Sequence, residues 1–286
     1  METTQTSRKY NLKNDIIFKT FFSRKGNEIF LIDFLNALLK IDIEKITIRE
    51  EVNLEQLSTE EKGGRLDLQA ELNSGIIVNI ELQIRNELNI EERTTAYSAK
   101  VMARNIERGT KYEDIKRVIM INILDYEIFD FNEYVSESVT VLDKHREHEL
   151  LNDIKYYFVE LPKFRKQHPD MNNKLNQWLA FIDDTDRRLI KMAEKKNKVL
   201  EKARVEINYL TGDAEVKRLE ELREKWEMDR ISAISYAEKR GKKIGEDIGR
   251  KKEKEEIAKK LLEQNVDMET IISATGLTEQ EIESLK

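Results

Sequence analysis

Asp67 and Glu81 are two acidic residues in RLDLQAELNSGIIVNIELQIR, residues 65–85, a stretch that otherwise largely alternates between apolar and polar side chains. Successive side chains of a strand point to opposite faces, so this pattern predicts two strands, each with one apolar face. The strands must pair in a register that keeps the apolar faces together, because a slip of one residue moves a whole strand's pattern to the other face. That register decides whether the two acids meet.

The loop between the strands fixes the register. A two-residue loop would set Asp67 opposite Leu82 and mix the faces, whereas a three-residue loop at residues 73–75 sets Asp67 opposite Glu81. Gly75 suits the positive φ that such a loop needs. The three-residue loop gives the apolar pairs Leu66–Leu82, Leu68–Ile80, Ala70–Val78 and Leu72–Ile76. The sequence therefore predicts this loop, with two carboxylates directly opposite each other.

Two opposed carboxylates repel each other. Directly opposed residues of an antiparallel pair have Cβ atoms about 5 Å apart, and like charges there destabilise a sheet. A shared proton, the neighbouring Arg65 or Arg85, solvent, or a divalent cation would each reduce the repulsion. Mg²⁺ takes oxygen ligands and is commonly held by one or two carboxylates with water and substrate phosphate. The pattern alone leaves two explanations open: a solvated strand face neutralised by arginines, or a metal site.

The composition restricts the class of protein. The chain has 286 residues, of which 39% are hydrophobic and 37% are charged, and it contains no cysteine. These proportions fit one globular domain with long solvated helices, and the lack of cysteine excludes disulfides, thiolate nucleophiles and cysteine-bound zinc. The N-terminal METTQTSRKY is polar, and no apolar run reaches the length of a membrane span. We therefore expect a cytoplasmic protein that does not enter a membrane.

The net charge of −6 hides an uneven distribution. Residues 187–260 contain 23 Lys and Arg against 16 Asp and Glu, so the rest of the chain is acidic. Non-specific binding to phosphate depends on local basic patches, so an acidic average does not exclude a nucleic-acid partner. Most of these charges alternate in sign, however, and that pattern is also typical of a solvated helix face.

Apolar periodicity predicts the other elements. Helical spacing is found in residues 15–22, 27–39 and 91–108, with Gly109 as a helix stop. Strands are predicted at KITIREEV (45–52), KRVIMINIL (116–124), VSESVTVL (135–142) and KYYFVEL (155–161), and STEEKGG (58–64) is predicted to be a loop. With the first two helices counted as one layer, the order up to residue 124 is α-β-β-β-α-β. The sequence thus predicts an α/β fold.

This order and several segments together resemble the PD-(D/E)XK nuclease superfamily, and more closely its recombination-promoting nuclease and transposase branch, Rpn. The segments are NDIIFKTFF, FLNALL, RLDLQAEL, VNIELQ, ERTTAYSAK and RGTKY, within about residues 13–125. The resemblance implies a PD-(D/E)XK, or restriction-endonuclease-like, core: a mixed sheet flanked by helices, followed by an α-helical C-terminal tail. In the family pattern the strand aspartate corresponds to Asp67, the next acid to Glu81 and the final polar residue to Gln83.

Two residues depart from the superfamily pattern. Leu66 replaces a proline that shapes the backbone, and Gln83 replaces a lysine that orients the attacking water and stabilises charge on the phosphate. Glutamine keeps the hydrogen bonding and loses the charge, and the Rpn branch itself has E-x-Q. The resemblance implies metal-assisted phosphodiester hydrolysis, in which Asp67 and Glu81 hold Mg²⁺ or another divalent cation such as Mn²⁺. Gln83 would position the water.

Three further residues are candidates for the site. Arg93 and Tyr97 lie one helical turn apart, where Arg93 would contact phosphate and Tyr97 would donate or accept a hydrogen bond. Their spacing fits surface residues that flank the core equally well. Asp15 would supply a third acid, as in some relatives, or would cap the first helix next to Asn14.

The C-terminal part begins with a row of small residues, Ala233, Ala237, Gly241, Gly245 and Gly249, at every fourth position. Glycine costs about 1 kcal/mol per helical position, so the row should have a reason. A self-associating or DNA-facing helix would explain it, and so would a flexible linker.

Residues 255–286 predict three short helices, with an S/T-x-x-E capping box at residues 278–281. This segment resembles the small C-terminal module of Rpn-like proteins and, faintly, a helix-turn-helix. Few basic residues follow Lys260, which argues against sequence-specific reading of DNA by this module.

The sequence thus predicts a PD-(D/E)XK nuclease-like domain at residues 1–186, a charged helical connector at 187–254 and a small helical module at 255–286. The predicted function is a Mg²⁺-dependent DNA endonuclease in recombination or mobile-element biology, which binds DNA and self-associates through its C-terminal helices. The alternative is a catalytically inactive nuclease-like fold that acts as a nucleic-acid-binding or assembly module. Salt bridges that lock both carboxylates would favour the alternative. RNA also remains open as a substrate, because its hydrolysis uses similar groups.

Overall fold

The structure is a computed structural model that describes residues 11–49, 68–106, 108–149 and 154–285. The chain divides into two compact units, Met1–Glu221 and Leu222–Lys286. The elements up to residue 210 are α1 (Asp15–Ser23), α2 (Glu28–Leu39), β1 (Ile46–Ile48), β2 (Leu68–Leu72), β3 (Ile77–Gln83), α3 (Ile90–Arg104), β4 (Val118–Leu124), β5 (Val135–Glu137), β6 (Val141–Leu142), β7 (His145–Glu149), β8 (Ile154–Glu160), α4 (Leu161–Lys166), α5 (Lys174–Asp183), α6 (Arg187–Lys196) and α7 (Lys198–Leu210). They are followed by α8 (Ala214–Glu263), α9 (Met268–Thr275) and α10 (Glu279–Glu283).

Six strands form one mixed sheet in the order β1–β2–β3–β4–β8–β5. β1, β2 and β3 pair antiparallel, β3, β4 and β8 run parallel, and β5 pairs antiparallel with β8. Parallel neighbours need a crossover connection, and α3 supplies the one between β3 and β4. The carboxyl ends of these two strands therefore lie side by side, with Gln83 beside Leu124.

The predicted hairpin is confirmed for the residues that the structure describes. Leu68 pairs with Ile80, in the register predicted from the apolar pattern. A backbone hydrogen bond of 2.9 Å closes the loop around residues 73–75, and Gly75 has a φ of +80°. The predicted pairs of residues 65–67 lie outside the described residues.

One face of the sheet packs against a large apolar core. Side chains of α1, α2 and α5–α7 share this core with the alternate residues of β3, among them Val78 and Ile80. Trp178 of α5 is fully buried, its ring lies 5.9 Å from that of Phe34, and its indole N–H donates to Asp33 at 2.9 Å. This core packs against one face of the central strands.

The helix α3 covers the opposite face. Val101 of α3 belongs to a second buried cluster with Ile77 and Met120 of the sheet, and Ser98 hydrogen-bonds the hydroxyl of Tyr156 at 2.8 Å. As a result β3 is buried along its whole length. The solvated strand face, one of the two explanations that the sequence left open, is therefore wrong for the β3 half of the hairpin.

Several elements differ from the sequence prediction. α3 ends at Arg104, four residues earlier than predicted. The strand predicted at residues 135–142 is divided into β5 and β6, which belong to different sheets. β7, which pairs with β6, was not predicted, because HREHE has no alternating apolar residues. The first of the three short helices predicted after residue 255 is the last part of α8.

The first unit extends past residue 186. α6 and α7 place Ile190, Leu200 and Ile207 in the main core, where they are buried. Whether residues 1–186 fold as a domain by themselves, and whether 187–254 act as a connector, stay predictions.

The second unit has a small core of its own, formed by Ala258, Ile271, Leu277 and Ile282. The predicted capping box of α10 is present, and the Asp267 side chain caps α9. The row of small residues lies within continuous α-helix. In the described residues, no helix is both long enough and apolar enough to cross a bilayer.

Candidate active site

Asn79, Glu81 and Gln83 lie on one face of β3 and are 2%, 1% and 3% exposed. Buried polar side chains cost free energy unless they are hydrogen-bonded. Three of them at alternate positions of a central strand are therefore unusual in a strand whose role is only to support the fold. The helix α3 and the segment that follows β4 supply contacts to two of them.

Glu81 forms an ion pair with Arg93 of α3. Nε and Nη2 of Arg93 lie 2.9 and 2.8 Å from the same carboxylate oxygen, Oε1. The guanidinium also lies over the ring of Tyr97, 5.0 Å from its centroid, and Lys100 approaches the same ring at 5.5 Å. The structure thus brings Arg93 and Tyr97 together with Glu81. The sequence predicts a phosphate as the partner of Arg93, and within the chain its partner is Glu81, the second acid of the family pattern.

Gln83 is held by Tyr126, the second residue after β4. The Tyr126 hydroxyl donates to Oε1 of Gln83 at 2.8 Å. Nε2 of the same amide is buried and has no hydrogen-bond partner in the part of the chain that the structure describes. A buried donor without a partner costs about 1–3 kcal/mol. The oxygen of the amide is therefore hydrogen-bonded, and its nitrogen has a free donor among the described residues. A side chain that binds substrate or water needs such a donor.

Ionic contacts anchor the start of the segment that carries Tyr126. The Asp125 N–H donates to the last carbonyl of β3 at 2.8 Å. The Asp125 carboxylate pairs with Arg165 of α4 and, at 3.4 Å, with Lys13. Both cations also contact Asp183, at 3.1 and 3.5 Å. Burial raises the pKa of the next residue along, Asp184, and nearby Arg204 acts in the opposite direction.

Asn122 of β4 lies beside Glu81 in the sheet. Its amide nitrogen donates to the Thr94 hydroxyl at 3.1 Å and to the Tyr157 carbonyl at 3.3 Å. Because Thr94 follows Arg93 on α3, this contact ties the arginine-bearing turn of the helix to the sheet.

The sequence predicts two further acids, Asp15 and Asp67. Asp15 is the first residue of α1, and its Oδ1 accepts from the N–H of Ile16 at 3.0 Å. The cap of that helix is Asn14, whose side chain accepts from the N–H groups of Ile16 and Ile17, so the predicted alternative of Asp15 as the N-cap is wrong. Asp67 lies outside the described residues.

The donor chemistry of the site fits a hard cation in part. Across residues 11–49, 68–106, 108–149 and 154–285, no three His, Asp or Glu side chains gather as a metal site. Mg²⁺ needs fewer protein ligands than that, since one or two carboxylates commonly hold it together with water and phosphate. Of the two predicted ligands, Glu81 is the one that the structure describes, and its carboxylate is of the kind that such a cation binds.

Comparison with protein families decides the fold class. A family model described as PD-(D/E)XK nuclease family transposase matches residues 12–237, which is most of the chain. The chain belongs to this PD-(D/E)XK nuclease transposase family. A second model, described as Rpn/YhgA-like nuclease family, C-terminal HTH domain, matches residues 251–286. The predicted resemblance to Rpn nucleases and the predicted fold class are confirmed. Comparison with curated proteins gives no match, and comparison with solved structures gives none either.

In this PD-(D/E)XK nuclease family member, sequence reasoning missed Asn122, Asp125 and Tyr126. A signal was present, because Asn122 interrupts the strongest apolar run in the sequence near its end, and Asp125 and Tyr126 follow that run directly. Site residues of α/β sheets gather at the carboxyl ends of parallel strands. That rule, applied to β3 and β4, would have placed residues 122–126 beside Glu81 and Gln83.

Proposed function

We propose that the protein is a DNA endonuclease that depends on a divalent cation, Mg²⁺ or Mn²⁺, and acts in recombination or mobile-element biology. Asp67 and Glu81 would hold the cation, and Gln83 would contact the reacting groups. The observation that supports this most is the buried amide nitrogen of Gln83, which lacks a partner among the described residues, two positions from a buried acid. Membership of a nuclease family supports the reaction class.

Each residue has a role that follows from its contacts. A bound divalent cation would polarise the phosphate and lower the pKa of a water. Arg93 holds the Glu81 carboxylate in place through Oε1 and keeps a positive charge close to the phosphate. Tyr97 supports the guanidinium from the face of its ring. Gln83 donates from Nε2 to an oxygen of the phosphate or of the water.

DNA contact outside the cleavage site is assigned to α8. The matched C-terminal module is described as a helix-turn-helix, a motif that commonly reads DNA through its second helix. Residues 261–285, however, contain six Asp and Glu and no Lys or Arg, so this surface would repel phosphates. Residues 239–260 contain ten Lys and Arg and five Asp and Glu. The basic residues of α8 therefore supply the phosphate contacts.

Nicking of supercoiled plasmid by the full-length protein tests the proposal. The reaction is run with Mg²⁺, with Mn²⁺ and with EDTA, for the wild type, Asp67→Ala and Glu81→Gln. Glu71→Gln, in the same hairpin but paired with Arg49 and Lys116, is the matched control. We expect cleavage that needs a cation and both motif acids and that survives in the control. A parallel reaction with single-stranded RNA separates the two classes of nucleic acid.

The second candidate function is a binding or assembly module without catalysis. The Glu81–Arg93 ion pair favours it, because an arginine already satisfies part of the carboxylate that the cation would need. Absence of cleavage in every cation, together with DNA binding that Asp67→Ala leaves unchanged, would overturn the nuclease proposal in favour of this one. The predicted self-association and cytoplasmic location stay predictions.

A further inference from the structure

We propose that Tyr126 is a positioning residue, which fixes the side-chain amide of Gln83 so that only its donor end, Nε2, meets the reacting groups. The inference rests on the proposed function, in which Gln83 contacts the scissile phosphate or the attacking water. Tyr126 itself touches neither. It acts through Gln83, by engaging the one acceptor atom of the amide.

The argument begins with the two ends of the glutamine side chain. An amide offers one acceptor oxygen and a nitrogen with two donor hydrogens, and rotation by half a turn exchanges them. In the structure the Tyr126 hydroxyl donates to Oε1 at 2.8 Å, which turns the acceptor end of the amide toward the tyrosine. Gln83 is 3% exposed, and its Nε2 has no partner in the described part of the chain. The donor end is therefore the end that a ligand oxygen must satisfy.

The tyrosine is held firmly enough to impose this choice. Its ring packs against a buried cluster formed by Ile90, Leu124 and Phe158. Its neighbour Asp125 is hydrogen-bonded to the backbone of β3 and ion-paired with Arg165. A tyrosine combines an apolar body with a polar tip, so the same residue fills the cluster and reaches the amide. Placing a group in advance in this way lowers the cost of reaching the reactive geometry.

A donor is the group that this position needs. A phosphate offers only oxygen acceptors, and negative charge develops on those oxygens during hydrolysis. The opposite orientation of the amide would present Oε1, an acceptor, to the phosphate oxygens and repel them. The Tyr126 hydroxyl therefore makes a neutral glutamine act as a donor only.

A double-mutant cycle with steady-state kinetics of DNA cleavage tests the proposal. The four full-length proteins are the wild type, Tyr126→Phe, Gln83→Lys and the double variant. Lysine has donors and no acceptor, so it presents a donor to the reacting groups whether or not the hydroxyl is there. We expect Tyr126→Phe to lower kcat about 10-fold in the wild-type background, as the loss of one hydrogen bond would. In the Gln83→Lys background we expect a change of less than about 2-fold.

The matched control is Tyr134→Phe. The Tyr134 hydroxyl donates to the amide oxygen of Asn176 at 2.7 Å, which is the same kind of contact away from the site. This variant should lose a similar hydrogen bond and keep its kcat. Gln83→Glu, which replaces the donor with acceptors, should lose cleavage. An equal loss from Tyr126→Phe in both backgrounds, or no loss in the wild type, would overturn the proposal.

A readout without cleavage separates this proposal from the proposed function. In protein labelled with ¹⁵N-glutamine, the side-chain amide signals of Gln83 are identified by their loss in Gln83→Lys. Tyr126→Phe should move these signals and Tyr134→Phe should leave them in place. If the wild type cleaves no nucleic acid but the signals move, the nuclease proposal fails and the contact stands. If the signals do not move, the positioning role fails whatever the activity.

Discussion

Replacing Arg93 with methionine should destabilise the protein by about 3 kcal/mol, because it removes a cationic partner from a buried carboxylate. Glu81 is 1% exposed, and the Arg93 side chain is 15% exposed. Removal of one partner of a buried ion pair typically costs about 3–5 kcal/mol, most of it from the charge that remains. We take the lower end of this range, because the partial exposure of Arg93 lets water replace some of its contacts.

A second variant separates the ion pair from the packing of the long arginine side chain. In Arg93→Met with Glu81→Gln, neither charge remains, and such replacements are often close to neutral. The double variant should therefore recover most of the stability that Arg93→Met loses, with a coupling free energy of about 2 kcal/mol. Lys166→Met is the surface control, because its pair with Glu127 is 70% and 36% exposed and should be worth less than about 1 kcal/mol.

Urea unfolding followed by the fluorescence of the buried Trp178 measures these differences. A loss below about 1 kcal/mol in Arg93→Met, or a double variant as unstable as the single one, would refute the reasoning. The same samples test the cation site. Mg²⁺ should raise the unfolding midpoint more in Arg93→Met than in the wild type, since the cation takes over the neutralisation of Glu81. That increase should be absent in the double variant.

Three other predictions concern separate parts of the molecule. Burial acts to raise the pKa of Asp33, but hydrogen bonds from Asn197, Trp178 and Lys174 outweigh it and lower the pKa. This carboxylate therefore adds stability above the pKa of an unfolded aspartate, about 3.9, and the contribution is lost as the pH falls through the lower pKa of the folded state. Between pH 7 and pH 3, Asp33→Asn should therefore lose less unfolding free energy than the wild type does. Gly245→Ala should increase helix content and stabilise α8 by up to about 1 kcal/mol, because an added Cβ meets nothing within 4 Å in this chain. If sedimentation shows a drop in self-association instead, the glycine lies in a contact between copies. The double variant Lys242→Ala, Lys243→Ala should weaken binding of every DNA sequence alike, and it should lower the slope of log affinity against log salt concentration by about 2. Fluorescence anisotropy at several salt concentrations measures this slope. An unchanged slope would exclude this part of α8 as the phosphate-binding surface.

The sequence was sufficient to predict the hairpin, because its alternation admits only one register that keeps the apolar faces together. The pairing of Leu68 with Ile80 and the positive φ of Gly75 follow from that pattern. The buried strand at residues 118–124 was predicted from a continuous apolar run for a similar reason. These features depend on neighbours in sequence, and local patterns describe them well.

The surroundings of Glu81 depend on residues far away in the sequence. The polar row of β3 gives no sign that α3 will cover it, since the buried residues of that helix, Ile90, Thr94, Ser98 and Val101, belong to another part of the sequence. Arg93 has the spacing of a surface residue and gains its acid only when the helix crosses over the sheet. The contact of Tyr126 with Gln83 joins residues 43 positions apart, which no periodicity describes. Tertiary packing, rather than local propensity, therefore determines the candidate site.

The charges and the hydrogen bonds of the site together explain how a glutamine works at position 83. A lysine there would add a second positive charge to a site that already contains Arg93. Glutamine avoids that second charge, but it brings an acceptor that would face the phosphate oxygens in one of its two orientations. The Tyr126 hydroxyl occupies that acceptor. A glutamine at position 83 therefore depends on a hydroxyl donor at position 126, since without it the amide has no defined donor end.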